Sequence, residues 1–142
     1  AGQVGAAPIV KVLSEESAES LFHILNRLFL AIDYRNYPVR DESSVRAYVQ
    51  VYFAGAGLEP KVEHHNAYGR SDLEVKAGDR HWVFEFKVVR ESEGEEAKLQ
   101  EGAEQMMSKR YGQQERSSQL KRVVLVYSIK SRQFVKWREI ED

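Results

Sequence analysis

Three charged residues stand where a sheet-forming sequence is expected to be apolar. Asp72 opens the alternating stretch SDLEVK, and Glu85 and Lys87 interrupt WVFEFKVV. Side chains alternate faces along a strand, so Glu85 and Lys87 share one face while Trp82, Phe84, Phe86 and Val88 share the other. A hairpin between the two stretches can bring Asp72 beside Glu85. Two carboxylates held together repel, and one takes up a proton unless a cation lies between them. Oxygen ligands at close quarters suit Mg²⁺ or Mn²⁺. A lysine two residues from one ligand can stabilise developing negative charge or orient an attacking water. These are the parts needed for metal-assisted hydrolysis of a phosphodiester. The plainer reading is a buried ion pair of Lys87 with Glu85 or Asp72. It satisfies two charges and leaves the third without a partner, which is costly away from water.

These residues need a sheet, and the surrounding sequence supplies one. Ser14, Glu15 and Glu16 predict a helix start, with Leu21, Ile24, Leu25, Leu28 and Phe29 as its apolar stripe. Pro38 interrupts, and Asp41 can cap a second helix carrying Val45, Tyr48, Val49, Tyr52 and Phe53, which Gly55 and Gly57 end. Strands are predicted over 61–65, 71–76 and 80–89, with a hairpin turn at AGDR. A helix follows over 97–111, with Leu99, Ala103, Met106 and Met107 as its apolar side. Strands over 123–128 and 133–137 close the chain. The order α, α, β, β, β, α, β, β implies an α/β fold with a mixed sheet flanked by helices.

The chain has 142 residues, which suits one domain over 1–142, with residues 1–8 expected to be disordered or extraneous to the fold. Hydrophobic residues make up 42% and charged residues 30%, the composition of a soluble globular domain. No apolar run approaches the ~20 residues of a membrane span, and no signal peptide is apparent. Cysteine is absent, which excludes disulfides and thiolate metal sites and fits a cytoplasmic protein. The first residue is not Met, so the chain is expected to be a piece of a longer protein.

Net charge is −1, yet charge is unevenly distributed. Between Glu91 and Glu104 there are six glutamates against Lys98, and between Gln105 and Arg138 nine basic residues against Glu115. Such runs are ordinarily solvated faces. A basic C-terminal third can also attract phosphates locally.

Asp72 followed after twelve residues by Glu85-Phe86-Lys87 resembles the PD-(D/E)XK nuclease motif. The blocks GRSDLEV, WVFEFK and AEQMMSKRYG, in that order, resemble one branch in particular. That branch is the nuclease domain found C-terminal to AAA-ATPase-like domains in bacterial proteins, and the resemblance runs from about Glu42 to the C-terminus. It implies a restriction-endonuclease-like fold and cleavage of nucleic acid, DNA rather than RNA, with Mg²⁺ or Mn²⁺ as cofactor. Asp72 and Glu85 match the metal-binding acids and Lys87 the catalytic lysine. Glu42 matches an acid on the helix before the sheet that completes many such sites. It lies three residues before Val45, on the side of the apolar stripe, although helix-dipole stabilisation explains an acid there equally well. Gln105 matches a glutamine that helps organise related sites. Ser71 replaces the proline of the motif's name, a departure the superfamily tolerates.

Arg70, Lys109, Arg110 and Tyr111 are the residues expected to meet nucleic acid. Arg70 can equally pair with Glu74 or Asp72. His64 and His65 are adjacent, so a strand sends them to opposite faces and they cannot easily share a metal. AGAGLEP lacks the Lys-Ser/Thr end of a phosphate loop, so ATP hydrolysis would belong to an attached ATPase-like domain. A homodimer is left open by the sequence. Two other readings compete: a nucleic-acid-binding module without catalysis, and a protein-interaction domain serving the ATPase-like partner.

Overall fold

The computed structural model describes residues 8–65, 70–91, 94–108 and 119–141, with 63–65 and 70–72 described by backbone alone. Five strands form one sheet in the order β1-β2-β3-β4-β5: β1 (Lys61–His65), β2 (Arg70–Ala77), β3 (Arg80–Val89), β4 (Gln119–Ser128) and β5 (Gln133–Ile140). All neighbours are antiparallel except β3 and β4. That parallel pair needs a crossover, which α4 (Glu95–Ser108) supplies.

The β2–β3 hairpin turns at Gly78 and Asp79, where Gly78 takes φ +60°, a left-handed conformation that costs glycine little. The sequence predicts this hairpin from its turn residues and from the aromatic and β-branched run of β3. β4 and β5 extend beyond the predicted 123–128 and 133–137, because their polar ends continue the ladder.

The first predicted helix corresponds to α2, and a further helix, α1, precedes it. α1 (Pro8–Glu15) buries Ile9, Val12 and Leu13, and α2 (Ala18–Leu30) starts from Ser17, whose side chain accepts a hydrogen bond from Ser20 N at 3.2 Å. Ser14 is therefore the last turn of α1 and not a helix start. Pro8 belongs to the fold as the first residue of α1, where its missing N–H costs nothing. Residues 1–7 lie outside the described residues.

α3 (Glu42–Gly55) begins at Asp41 as expected. The Asp41 side chain accepts from Ser44 N at 2.9 Å, and Ser44 Oγ accepts from Asp41 N at 3.1 Å.

Each face of the sheet has its own cover. Trp82, Phe84 and Phe86 of β3, with Leu73, Val75, Leu125, Tyr127 and Phe134, pack under α1, α2 and α3. Val83, Val89, Val124, Val126 and Ile140 pack under α4 through Leu99, Ala103 and Met106. Met107, expected on the apolar side of α4, is exposed.

Polar contacts of three side chains, Trp82, Arg80 and Asn26, fix the larger face. Trp82 Nε1 donates to Leu13 O at 2.7 Å, satisfying a carbonyl at the end of α1, and Arg80 donates to Leu13 O and Glu16 O. Asn26 on α2 donates to Phe134 O at 3.0 Å and accepts from Phe134 N at 2.6 Å. This is the α/β, restriction-endonuclease-like arrangement that the sequence predicts. Among the described residues no helix is long and apolar enough to cross a membrane.

Candidate active site

β3 decides which face carries the chemistry. Val83 and Val89 pack against α4, so the intervening odd positions, Glu85 and Lys87, lie on the same face. Both are buried, Glu85 at 3% and Lys87 at 4% relative exposure. An acid and a lysine this deep are held only where their charges are compensated.

α4 closes over them. A Cβ on Gly102 would stand 2.5 Å from Val124 Cγ1 and 3.3 Å from Lys87 Cγ, so only a bare backbone fits there. Lys87 Nζ lies 3.9 Å from Glu101 Oε1. As the crossover between parallel strands, α4 runs opposite to β3. Gln105, about one turn past Gly102, is thereby displaced from the level of Lys87 toward that of Glu85. Its Oε1 is shielded from solvent and has no hydrogen-bond partner among the described residues.

The hairpin register addresses Asp72. Leu73 pairs with Phe84 across β2 and β3. Continued by one residue, that register sets Asp72 level with Glu85. On the other side of β2, Asp72 pairs with Glu63 of β1. The register pairs Glu63 with Asp72 directly, and its continuation by one residue on the β3 side would bring Glu85 into the same row. Like charges directly opposite one another weaken a sheet. Glu63 is not predicted from the sequence, because its strand is short and no local pattern fixes the β1–β2 register.

Glu42 is placed elsewhere. It is the first residue of α3 and lines a cleft with Arg40, Asp41, Ser43, Val88 and Arg90. Val88 belongs to the face beneath α1–α3, opposite to Glu85 and Lys87. Arg90 donates to Arg40 O at 3.2 Å within the same cleft.

Among the described residues, no three His, Cys, Asp or Glu side chains form a metal-holding group; Glu63 and Asp72 are described by backbone alone. The donors in place are nonetheless oxygen atoms: the buried Glu85 carboxylate and the shielded Gln105 Oε1. With Asp72 level by register, this set fits a small hard cation such as Mg²⁺ or Mn²⁺.

Glu74, one candidate partner for Arg70, meets His81, with Nε2 and Oε1 2.8 Å apart and both side chains largely buried. His81 alternates with Val83, so this pair extends the polar strip along the α4 face. The Arg70 side chain and residues Lys109, Arg110 and Tyr111 lie outside the described residues. His64 and His65 pair with Ser71 and Arg70 in adjacent β1 positions.

The acidic and basic runs of the sequence meet in three dimensions. Lys136 of β5 binds Glu96 of α4 at 2.6 Å, and Arg138 donates to Gln100 at 3.2 Å. The hydrogen bond to Glu96, and then its charge, hold the Lys136 pKa above the ordinary lysine value. Lys121 binds Glu139 at 3.3 Å. These basic residues of the C-terminal third are engaged within the domain. Arg132 stacks 3.6 Å over the Tyr34 ring at the β4–β5 turn.

A family model described as the PD-(D/E)XK nuclease superfamily matches residues 40–137, more than half of the chain. No curated protein and no solved structure matches it. The matched span starts just before α3 and ends within β5. It contains Asp72, Glu85, Lys87 and the helix that closes over them, and the chain therefore belongs to the PD-(D/E)XK nuclease superfamily.

Proposed function

We propose that this domain is a divalent-metal-dependent nuclease that hydrolyses nucleic-acid phosphodiester bonds. One observation carries the reading: Glu85 and Lys87, two residues apart on β3, are buried together beneath α4 in a chain of the nuclease superfamily. Glu85 and Asp72 would hold Mg²⁺ or Mn²⁺. The bound metal would supply Lewis acidity and lower the pKa of a water. Lys87 would orient that water and offset negative charge developing on the phosphate. Gln105, with its shielded Oε1, would hold the water or a ligand in place.

A third acid is needed to complete the oxygen shell, and the register favours Glu63 over Glu42. Glu63 is the cross-strand partner of Asp72, whereas Glu42 lies beside Val88 on the other face. Glu42 and Arg90, at the end of β3, are better placed to meet the substrate than the metal. Arg70, Lys109, Arg110 and Tyr111 are proposed to hold the substrate backbone. The domain would act beside an ATPase-like domain, as in the branch it resembles, with DNA as substrate.

The test is cleavage. The chain is incubated with Mn²⁺ and end-labelled duplex DNA, single-stranded DNA or RNA, alongside Glu85→Ala and Lys87→Ala. Metal-dependent products from the wild type and none from either variant support the proposal, provided all three unfold cooperatively. Binding without cleavage by all three identifies a binding module, and neither activity identifies an interaction domain.

A further inference from the structure

Lys87 is held at both ends of its side chain by α4. Its stem passes under Gly102, where an added Cβ would come within 3.3 Å of Cγ. Its ammonium meets Glu101 Oε1 at 3.9 Å, while the other oxygen of that carboxylate, Oε2, meets Lys98 Nζ at 3.4 Å. Glu101 is 46% exposed and Lys87 is 4% exposed. A buried cation is therefore tied to an acid at the rim of the site, and Lys98 orients that acid from the solvent side. Glycine is among the least favoured residues inside a helix. Its use beside Glu101 has a physical reason, since the bare backbone lets α4 approach the lysine closely enough for Glu101 to reach the head group.

A lysine carries its charge on a flexible four-carbon stem and has no preferred donor geometry of its own. In a reaction where it orients a water, its position has to be imposed. We infer that Glu101 is a positioning residue for Lys87, holding the ammonium where it serves the Glu85 site. This rests on the nuclease reading proposed above. Glu101 does not touch the reacting phosphate; it acts through Lys87. Glu101 is half-exposed, so water can partly take the place of its carboxylate at Lys87, and a thermal melt of each Glu101 variant establishes that it is folded before its turnover is compared.

Two measurements on the full chain test this. The first is steady-state cleavage with Mn²⁺ by wild type, Glu101→Gln, Glu101→Asp and the exposed-side control Glu104→Gln. Glu101→Gln is expected to lower kcat about tenfold with KM unchanged, because misplacing a catalytic group costs turnover and not binding. Glu101→Asp restores part of the loss, and Glu104→Gln behaves as wild type. Equal kcat for wild type and Glu101→Gln overturns the inference. The second needs no activity: acetic anhydride labelling of Lys87 in the metal-free chain, read by peptide mass spectrometry. Glu101→Gln is expected to raise Lys87 labelling several-fold, with Lys121 labelling unchanged as the internal reference. Unchanged Lys87 labelling overturns the inference whatever the activity. Raised labelling in a chain that cleaves no nucleic acid upholds the ion pair and brings down the nuclease reading alone.

Discussion

Gly102 of α4 and Lys87 of β3 meet backbone to side chain, with room for no added atom between helix and sheet. The nearest obstacle to a Cβ at 102 is Val124 Cγ1 at 2.5 Å. Gly102→Ala is expected to lose about 1–3 kcal/mol, the usual cost of overpacking, even though alanine is the better helix former. Val124→Ala in the same chain removes the obstructing methyl groups and should recover part of the loss. Urea denaturation of the two single variants and the double variant measures this coupling.

Asn26 ties the helical layer to β5 through both polar groups of Phe134. Asn26→Ala leaves a part-buried N–H and C=O without that partner and is expected to cost about 1–3 kcal/mol. α1 and α2 lie outside the span matched by the family model, yet they cover Trp82, Phe84 and Phe134. A fragment beginning at residue 40 is therefore expected to lose the cooperative thermal transition seen for the whole chain, as circular dichroism would show.

Glu63 and Glu42 make opposite predictions. If Glu63 completes the acid row with Asp72 and Glu85, Glu63→Gln weakens Mn²⁺ binding by more than about tenfold. The same substitution stabilises the metal-free chain, because it relieves like charges placed directly opposite one another. Glu42→Gln leaves Mn²⁺ affinity unchanged. Calorimetric titration and thermal melts with and without metal separate the two. Loss of binding in Glu42→Gln with none in Glu63→Gln would return the third ligand to α3.

Tyr127 gives a pH signature of the larger core. Burial pushes its pKa from 10.0 up to about 12, partly opposed by the Arg132 charge. A raised folded-state pKa stabilises the fold fully below the unfolded value and less as pH rises toward the folded one. Stability is therefore expected to decline between pH 10 and 12. Ultraviolet titration of the phenolates should show a tyrosine ionising near pH 12 that Tyr127→Phe removes.

Much of this architecture was legible because the patterns were local. The aromatic and β-branched alternation of β3, the AGDR turn and the Asp41 cap each determine their element within a few residues. α1 was missed because eight residues carry only Ile9, Val12 and Leu13 as a stripe, next to Ser14-Glu15-Glu16, which reads equally well as a start. Within the site, strand periodicity put Glu85 and Lys87 on one face. Which helix covers that face depends on the crossover between β3 and β4, and no local pattern encodes it. The place of Glu42 relative to that face likewise follows from the packing of α3 and not from its own sequence neighbours. Glu101 reads in the sequence as one solvated charge of an acidic run, and its approach to Lys87 depends on how α4 packs on the sheet.

The most direct test of the central claim is titration of Mn²⁺ into the wild type and the Asp72→Ala/Glu85→Ala variant by calorimetry. Saturable binding to the wild type that the variant lacks, with both chains folded, is the expected result. Equal heats from the two, or none from either, would contradict a metal site on the α4 face of β3 and leave Glu85 and Lys87 as structural charges.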